Sequence, residues 1–132
     1  MVSGILHTIA YMEGVPVGQI GSDGFRVVAD SVEYFVVGIG GVVVRPEFQG
    51  KGIPRLLFNE VHAETGGIIG SDIFTLFCPD GLVPYYEKHE YQRFDGKVVC
   101  PQFGKRVVSS FNFMSKGGEF KKGVVELDAP PW

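Results

Sequence analysis

The chain has 132 residues, 45% hydrophobic and 20% charged, enough for one core and too few for two ordinary domains, so residues 1–132 read as a single domain. A net charge of −3 supplies no concentrated positive field, which argues against a nucleic-acid partner. The longest apolar stretch, residues 35–44, holds three glycines and is half the length of a membrane-spanning helix, and residues 1–12 lack the features of a signal peptide, so the expectation is no membrane association and a cytoplasmic location.

Residues 5–12 alternate loosely, Glu13-Gly14-Val15-Pro16 is a turn signal, and residues 17–20 are again β-prone, which predicts a hairpin. Ser22-Asp23-Gly24 reads as a break before residues 25–29. After Asp30-Ser31 a β-prone run resumes at Val32, as a second hairpin or as one long bent strand. Gly38, Gly40 and Gly41 interrupt the side-chain alternation, which predicts a bulge or a close approach by another backbone or a ligand, and residues 42–44 resume the strand.

From Gly52 the period lengthens: Ile53, Leu56, Leu57 and Val61 fall at helical spacings, and Gly66-Gly67 reads as the helix end. A short buried strand over 73–77, a shorter helix over 82–89 and a strand over 97–100 complete a β-α-β-α-β order. Residues 106–114 and 123–127 favour β structure, with Lys116-Gly117-Gly118 as a hairpin loop between them, and residues 129–132 form an irregular tail.

The sharpest local feature is the buried strand Val42-Val43-Val44 that runs through Arg45-Pro46-Glu47-Phe48-Gln49-Gly50-Lys51-Gly52 into the helix at Ile53. A helix N-terminus has unpaired amide donors and a positive dipole end, and Gly50 and Gly52 allow a phosphate to approach the backbone. Lys51 or Arg55 would add charge. The spacing fits neither the three-glycine dinucleotide fingerprint nor the P-loop. Cys78 and Cys100 have no metal-site spacing and are too few for a disulfide framework, so both are expected as reduced thiols. His7, His62 and His89 show no metal-ligand pattern, and no metal is expected.

The run from Gln49 resembles the coenzyme A motif of the GNAT N-acyltransferases, Q/R-x-x-G-x-G/A, with Gln49 first and Gly52 fourth. Pro54 stands where the final Gly or Ala belongs, which removes one amide donor. Residues 77–91, with Tyr85-Tyr86-Glu87-Lys88-His89-Glu90-Tyr91, resemble the family's next strand and helix, where Tyr-Glu-Lys-Leu-Gly-Phe is typical; His89 and Glu90 replace the leucine and glycine. The likeness spans residues 5–100. The family ordinarily begins with a strand and one or two helices ahead of the first hairpin, so this chain resembles a member with a short front.

The resemblance implies an α/β (α+β) fold with a mixed, mostly antiparallel central sheet and flanking helices. It implies acetyl-CoA as cosubstrate, held by Val42, Val43 and Val44, by the turn amides from Gly50 to Ile53 and by Gln49, Lys51 and Arg55. It implies an N-acetyltransferase acting by direct attack of a primary amine of a small molecule, with Tyr86 protonating the departing thiolate. An amide near Val42 would polarise the thioester. The general base is not evident; Glu33 and Asp30 are candidates through water. Cys78 as a covalent acetyl carrier and Trp132 as a contact for a cationic acceptor are weaker readings than a buried thiol and a frayed tail. A homodimer is expected, the partner completing the pocket or covering a sheet edge. The alternative is a non-catalytic coenzyme A-binding or protein-interaction module on the same fold.

Overall fold

The computed structural model describes residues 5–102, 104–118, 120 and 123–127. Strands β1 (Leu6–Met12) and β2 (Val15–Ala29) form the predicted first hairpin. Glu13 and Gly14 at the turn both have positive φ, 50° and 79°, the handedness whose twist matches the strands it joins. The expected break at Ser22-Asp23-Gly24 does not occur. These residues pair with Ile39, Gly38 and Val37 in the middle of β2, and a Cβ on Gly24 would run into the Phe35 ring, so this glycine serves packing and makes no turn.

Asp30 and Ser31 repeat the tight turn at φ 48° and 65° and lead into β3 (Val32–Val44), antiparallel to β2. The expected bulge is present. Gln19 stands opposite Val43 whereas Gly21 stands opposite Gly40, so β3 carries one extra residue there, and Gly41 takes φ +60°.

Helix α1 (Ile53–Glu60) buries Ile53, Leu57 and Phe58. Gly66-Gly67 does not end the helical segment: it widens into a π-type turn over Val61–Thr65 and continues as α2 (Gly66–Ile69). A Cβ on Gly66 would lie 2.6 Å from the Ser71 oxygen, so Gly66 allows a close approach. The stop comes at Gly70, φ 99°, whose N–H donates to Gly66 O at 2.8 Å. Then follow β4 (Phe74–Cys78), a 3₁₀ turn over Asp80–Leu82 and α3 (Val83–Glu87), three residues shorter than 82–89 suggests.

The remaining strands are β5 (Gln92–Arg93), β6 (Gly96–Gln102), β7 (Lys105–Val108), β8 (Asn112–Lys116) and β9 (Gly123–Leu127). The β-prone stretch 106–114 is split because Ser109 turns the chain: its N–H donates to Val98 O and its Oγ accepts from the Phe111 N–H. Residues 116–118 do not close a hairpin. Strand β8 pairs with β4 and β5, while β9 pairs with β2 and β6. The tail with Trp132 lies outside the described residues.

The sheet order is β5-β8-β4-β3-β2-β9-β6-β7, with β1 also on β2. Among the described residues only β3 with β4 and β6 with β9 are parallel, so the sheet is mixed and mostly antiparallel, as expected. One core cluster joins Ile20, Val37, Ile39 and Leu76 to Leu57 and Phe58 of α1; a second, on the other face, joins Val27, Val36 and Phe113 to Val98, Val125 and Leu127. The helices therefore hold one face of the sheet. The C-terminal strands β6 and β9 contribute to the core of the other.

Candidate active site

Strands β3 and β4 are paired only at Val37↔Phe74, Gly38↔Thr75 and Ile39↔Leu76. Beyond Ile39, β3 stays with β2 up to Val44, and beyond Leu76, β4 stays with β8 up to Cys78. The two strands part, and a gap opens in the sheet. The Arg45 N–H donates to Val17 O, so by backbone alternation the amides of Val44 and Val42 turn away from β2 and into that gap. Val43, which stands opposite Gln19, turns its amide toward β2, so among the three valines its backbone is not presented to a ligand. One gap-facing carbonyl is already engaged: Val44 O accepts from Gln49 Nε2 at 3.2 Å. Gln49 thus ties the turn to the end of β3.

The turn leaves β3 through a 3₁₀ segment, Pro46–Phe48, and enters α1 through Gly52 as N-cap. Gly50 and Gly52 both take φ 77°, with nothing within 4 Å of an added Cβ. Glycine is needed here for its left-handed backbone, and the space above both residues is open. The cap makes no side-chain hydrogen bond, so the first amides of α1 keep their donor capacity for an anion, except at Pro54, which has none.

A groove of about 410 Å³ lies beside this turn, bounded by Gly50, Gly52, Arg55, Tyr85, Lys88 and His89, with Pro54 in its wall. Arg55 from α1 and Lys88 from the end of α3 make it cationic, which suits a phosphate-bearing ligand. Burial, and then Arg55 and Lys116, pull His89 below its ordinary value. Tyr85, Lys88 and His89 were not among the sequence-derived site residues, although their i, i+3, i+4 spacing puts them on one helical face. Lys51 is directed elsewhere: its Nζ sits 5.7 Å above the Phe48 ring.

Tyr86 stands half-buried on α3, edge-on to Phe58 at 5.8 Å and to Tyr91 at 6.2 Å. Burial raises its phenol above the ordinary value, with further contributions from Tyr85 and Cys78, so it keeps its proton at neutral pH, as an acid must. Val42 and Val44 pack against the same core cluster. Cys78, buried at the end of β4, donates its thiol to Met114 Sδ at 3.5 Å and is pushed up by burial and then Asp80; a thiol held protonated in this way is a poor nucleophile. His62 bonds to Tyr91, with no contact to Cys78 that would activate it.

Glu33 and Asp30 are far from this site. Asp30 forms the distal hairpin turn, and Glu33 faces Arg26 at 3.6 Å. Nine residues of extended strand separate Glu33 from Val42, about 30 Å, so neither carboxylate reaches the gap. Among the described residues no three His, Cys, Asp or Glu side chains gather to hold a metal ion, and no helix is long and apolar enough to cross a membrane.

Comparison with solved structures finds the same fold repeatedly. A GNAT family acetyltransferase from Brucella melitensis, solved in complex with acetyl-CoA, superposes with TM-score 0.57 at 24% identity, over 90% of this chain and 63% of that one. A ribosomal-protein-alanine N-acetyltransferase from the same organism gives TM-score 0.58 at 22% identity, over 83% and 67%. A GCN5-related N-acetyltransferase from Kribbella flavida gives 0.58 at 26% identity over 66% of this chain, which spans only 21% of that protein. No curated protein matches. The acetyltransferase (GNAT) family model matches residues 3–92. The match covers well over half of the residues, and the chain belongs to the GNAT acetyltransferase family.

Proposed function

We propose that this protein transfers an acetyl group from acetyl-CoA to a primary amine of a small molecule by direct attack. The observation that carries the reading is the gap that opens beyond Ile39↔Leu76, with the left-handed turn at Gly50 and Gly52 at one end and Tyr86 beside it. In this arrangement the amides of Val42 and Val44 pair with the pantetheine arm. The Val42 amide polarises the thioester carbonyl, and the amides from Gly50 to Ile53, with Arg55, take the pyrophosphate. The amine nitrogen attacks the carbonyl carbon, the C–S bond breaks, and Tyr86 gives its proton to the sulfur.

One observation favours a second reading, a coenzyme A-binding module without turnover: Pro54 occupies the first turn of α1 and removes a phosphate donor. Among the described residues β1 pairs with β2 alone, and that edge with its exposed Ile9 and Tyr11 supports a homodimer in either case. A cytoplasmic location is part of the same proposal.

Calorimetric titration of acetyl-CoA into the protein and into Gly52→Val tests the site. Micromolar binding that Gly52→Val abolishes supports it, and thiol release with an amine panel then separates transfer from binding alone. Absence of binding at millimolar acetyl-CoA would overturn both readings.

A further inference from the structure

The sheet has a second cavity beside the bulge, about 280 Å³, whose wall includes Ile5, His7, Asp23, Phe25, Gly38 and Gly40. Val37 and Ile39 point into the helix-side core, so Gly38 and Gly40, which alternate with them, face the opposite side. This cavity and α1 therefore approach β3 from opposite faces. The glycines leave no side chain between the cavity and the backbone of β3 at the place where β3 parts from β4.

Asp23 stands opposite Gly38, and Gly21 opposite Gly40. The diagonal from Asp23 to Gly40 is about 7–8 Å, the reach of a carboxylate plus one small group or water. Asp23 Oδ1 accepts the Gly24 N–H at 2.8 Å, which orients the carboxylate. Besides His7, the rest of the wall is largely apolar, from Ile5, Phe25 and glycine backbone, and among the described residues it holds no second carboxylate. A ligand with a second cationic end would have to leave it unpaired against these groups.

The geometry points to this cavity as the acceptor site: it takes a primary ammonium compound with a small apolar body, anchored and deprotonated by Asp23. The inference rests on the acetyl-transfer reading above. The ammonium loses one proton to the Asp23 carboxylate, directly or through one water, and that proton leaves to solvent. The freed amine forms the C–N bond as the C–S bond breaks. Tyr86 protonates the sulfur, and the proton shed by the new amide nitrogen returns through solvent to the phenol. The net products are the acetamide, the free thiol and one proton.

Phenethylammonium is the probe, titrated into the full chain and into Asp23→Asn, whose side-chain oxygen still accepts the Gly24 N–H. Acetyl-CoA and the neutral isostere 2-phenylethanol are titrated into both, and Asp23→Glu serves as the charge-retaining variant. Asp23→Asn is expected to weaken phenethylammonium about tenfold or more and to leave acetyl-CoA and 2-phenylethanol unchanged, while Asp23→Glu retains most of the ammonium affinity. With turnover, the acceptor KM rises in Asp23→Asn and the acetyl-CoA KM does not. Equal phenethylammonium affinity in wild type and Asp23→Asn, or none in wild type, overturns the site. Failure of acetyl-CoA to bind removes the transfer reading and the proton step with it, and the ammonium titration still decides the Asp23 site by itself.

Discussion

His62 Nε2 and the Tyr91 hydroxyl share a hydrogen bond of 2.7 Å, joining the π-type turn after α1 to the chain just beyond α3. Burial, followed by the charges of Lys116 and His89 and opposed by Glu90, lowers His62 from 6.5 to about 4. The folded protein therefore refuses a proton that the unfolded chain accepts. The stability that His62 contributes is complete above pH 6.5 and is lost progressively as pH falls toward 4. Discounted for a ring half open to solvent, the loss is about 1–2 kcal/mol. His89, lowered in the same direction, adds to it. Urea midpoints at pH 7 and pH 4.5 should differ more for wild type than for His62→Gln, and an equal difference in the two proteins would remove His62 from this role.

Glu90 holds φ 68°, a backbone conformation that glycine adopts without strain. Its carboxylate reaches Lys116 Nζ at 2.7 Å, but this pair is exposed on the Glu90 side and weak in water. A left-handed backbone is strained for a non-glycine residue. Glu90→Gly should relieve more than it loses and raise Tm by about 2–4 °C. A lower Tm would mean that the Lys116 pair outweighs the backbone strain.

The first hairpin turn and the turn from Gln49 to Gly52 were legible in the sequence because each depends on backbone demands that a few adjacent residues disclose, whereas the second hairpin and the bulge at Gly41 were each one of two readings the sequence left open. Gly24 and Gly66 misled because their roles are set by Phe35 and by Ser71 with Phe74, residues brought near by the fold. The same limit hid the cationic groove. Arg55 and Lys88 come together only when α1 and α3 lie side by side. Nor does anything local to residues 106–127 announce that β8 joins β4 whereas β9 joins β2.

Arg55 and Lys51 should behave differently, although both flank the turn proposed to hold phosphate. Arg55 lines the groove, whereas Lys51 lies over Phe48. Arg55→Ala should weaken acetyl-CoA binding about tenfold at low salt, from the loss of a charge-assisted contact, and Lys51→Ala by about twofold at most. Calorimetry in low and high salt checks the pair. Equal losses would place Lys51 in the groove after all.

Pro54→Ala should restore a donor to the first turn of α1 without disturbing Ile53 or Leu57, which carry the packing. One added amide to a phosphate corresponds to about twofold to tenfold tighter acetyl-CoA binding. Unchanged affinity in this variant would mean that the phosphate does not use the second position of the helix.

Tyr86→Phe separates chemistry from architecture. The ring packs on Phe58 and Tyr91, contacts that phenylalanine reproduces, and among the described residues the hydroxyl makes no hydrogen bond whose loss would destabilise the fold. Stability should therefore stay within about 0.5 kcal/mol of wild type, and acetyl-CoA affinity should hold, since the proposed pantetheine contacts are made by the backbone of β3. The thiolate leaving group, deprived of its proton donor, should slow kcat by about a hundredfold or more. An amine acceptor whose turnover survives Tyr86→Phe would show that water in the gap can protonate the sulfur, and would leave the Val42 amide as the main source of rate.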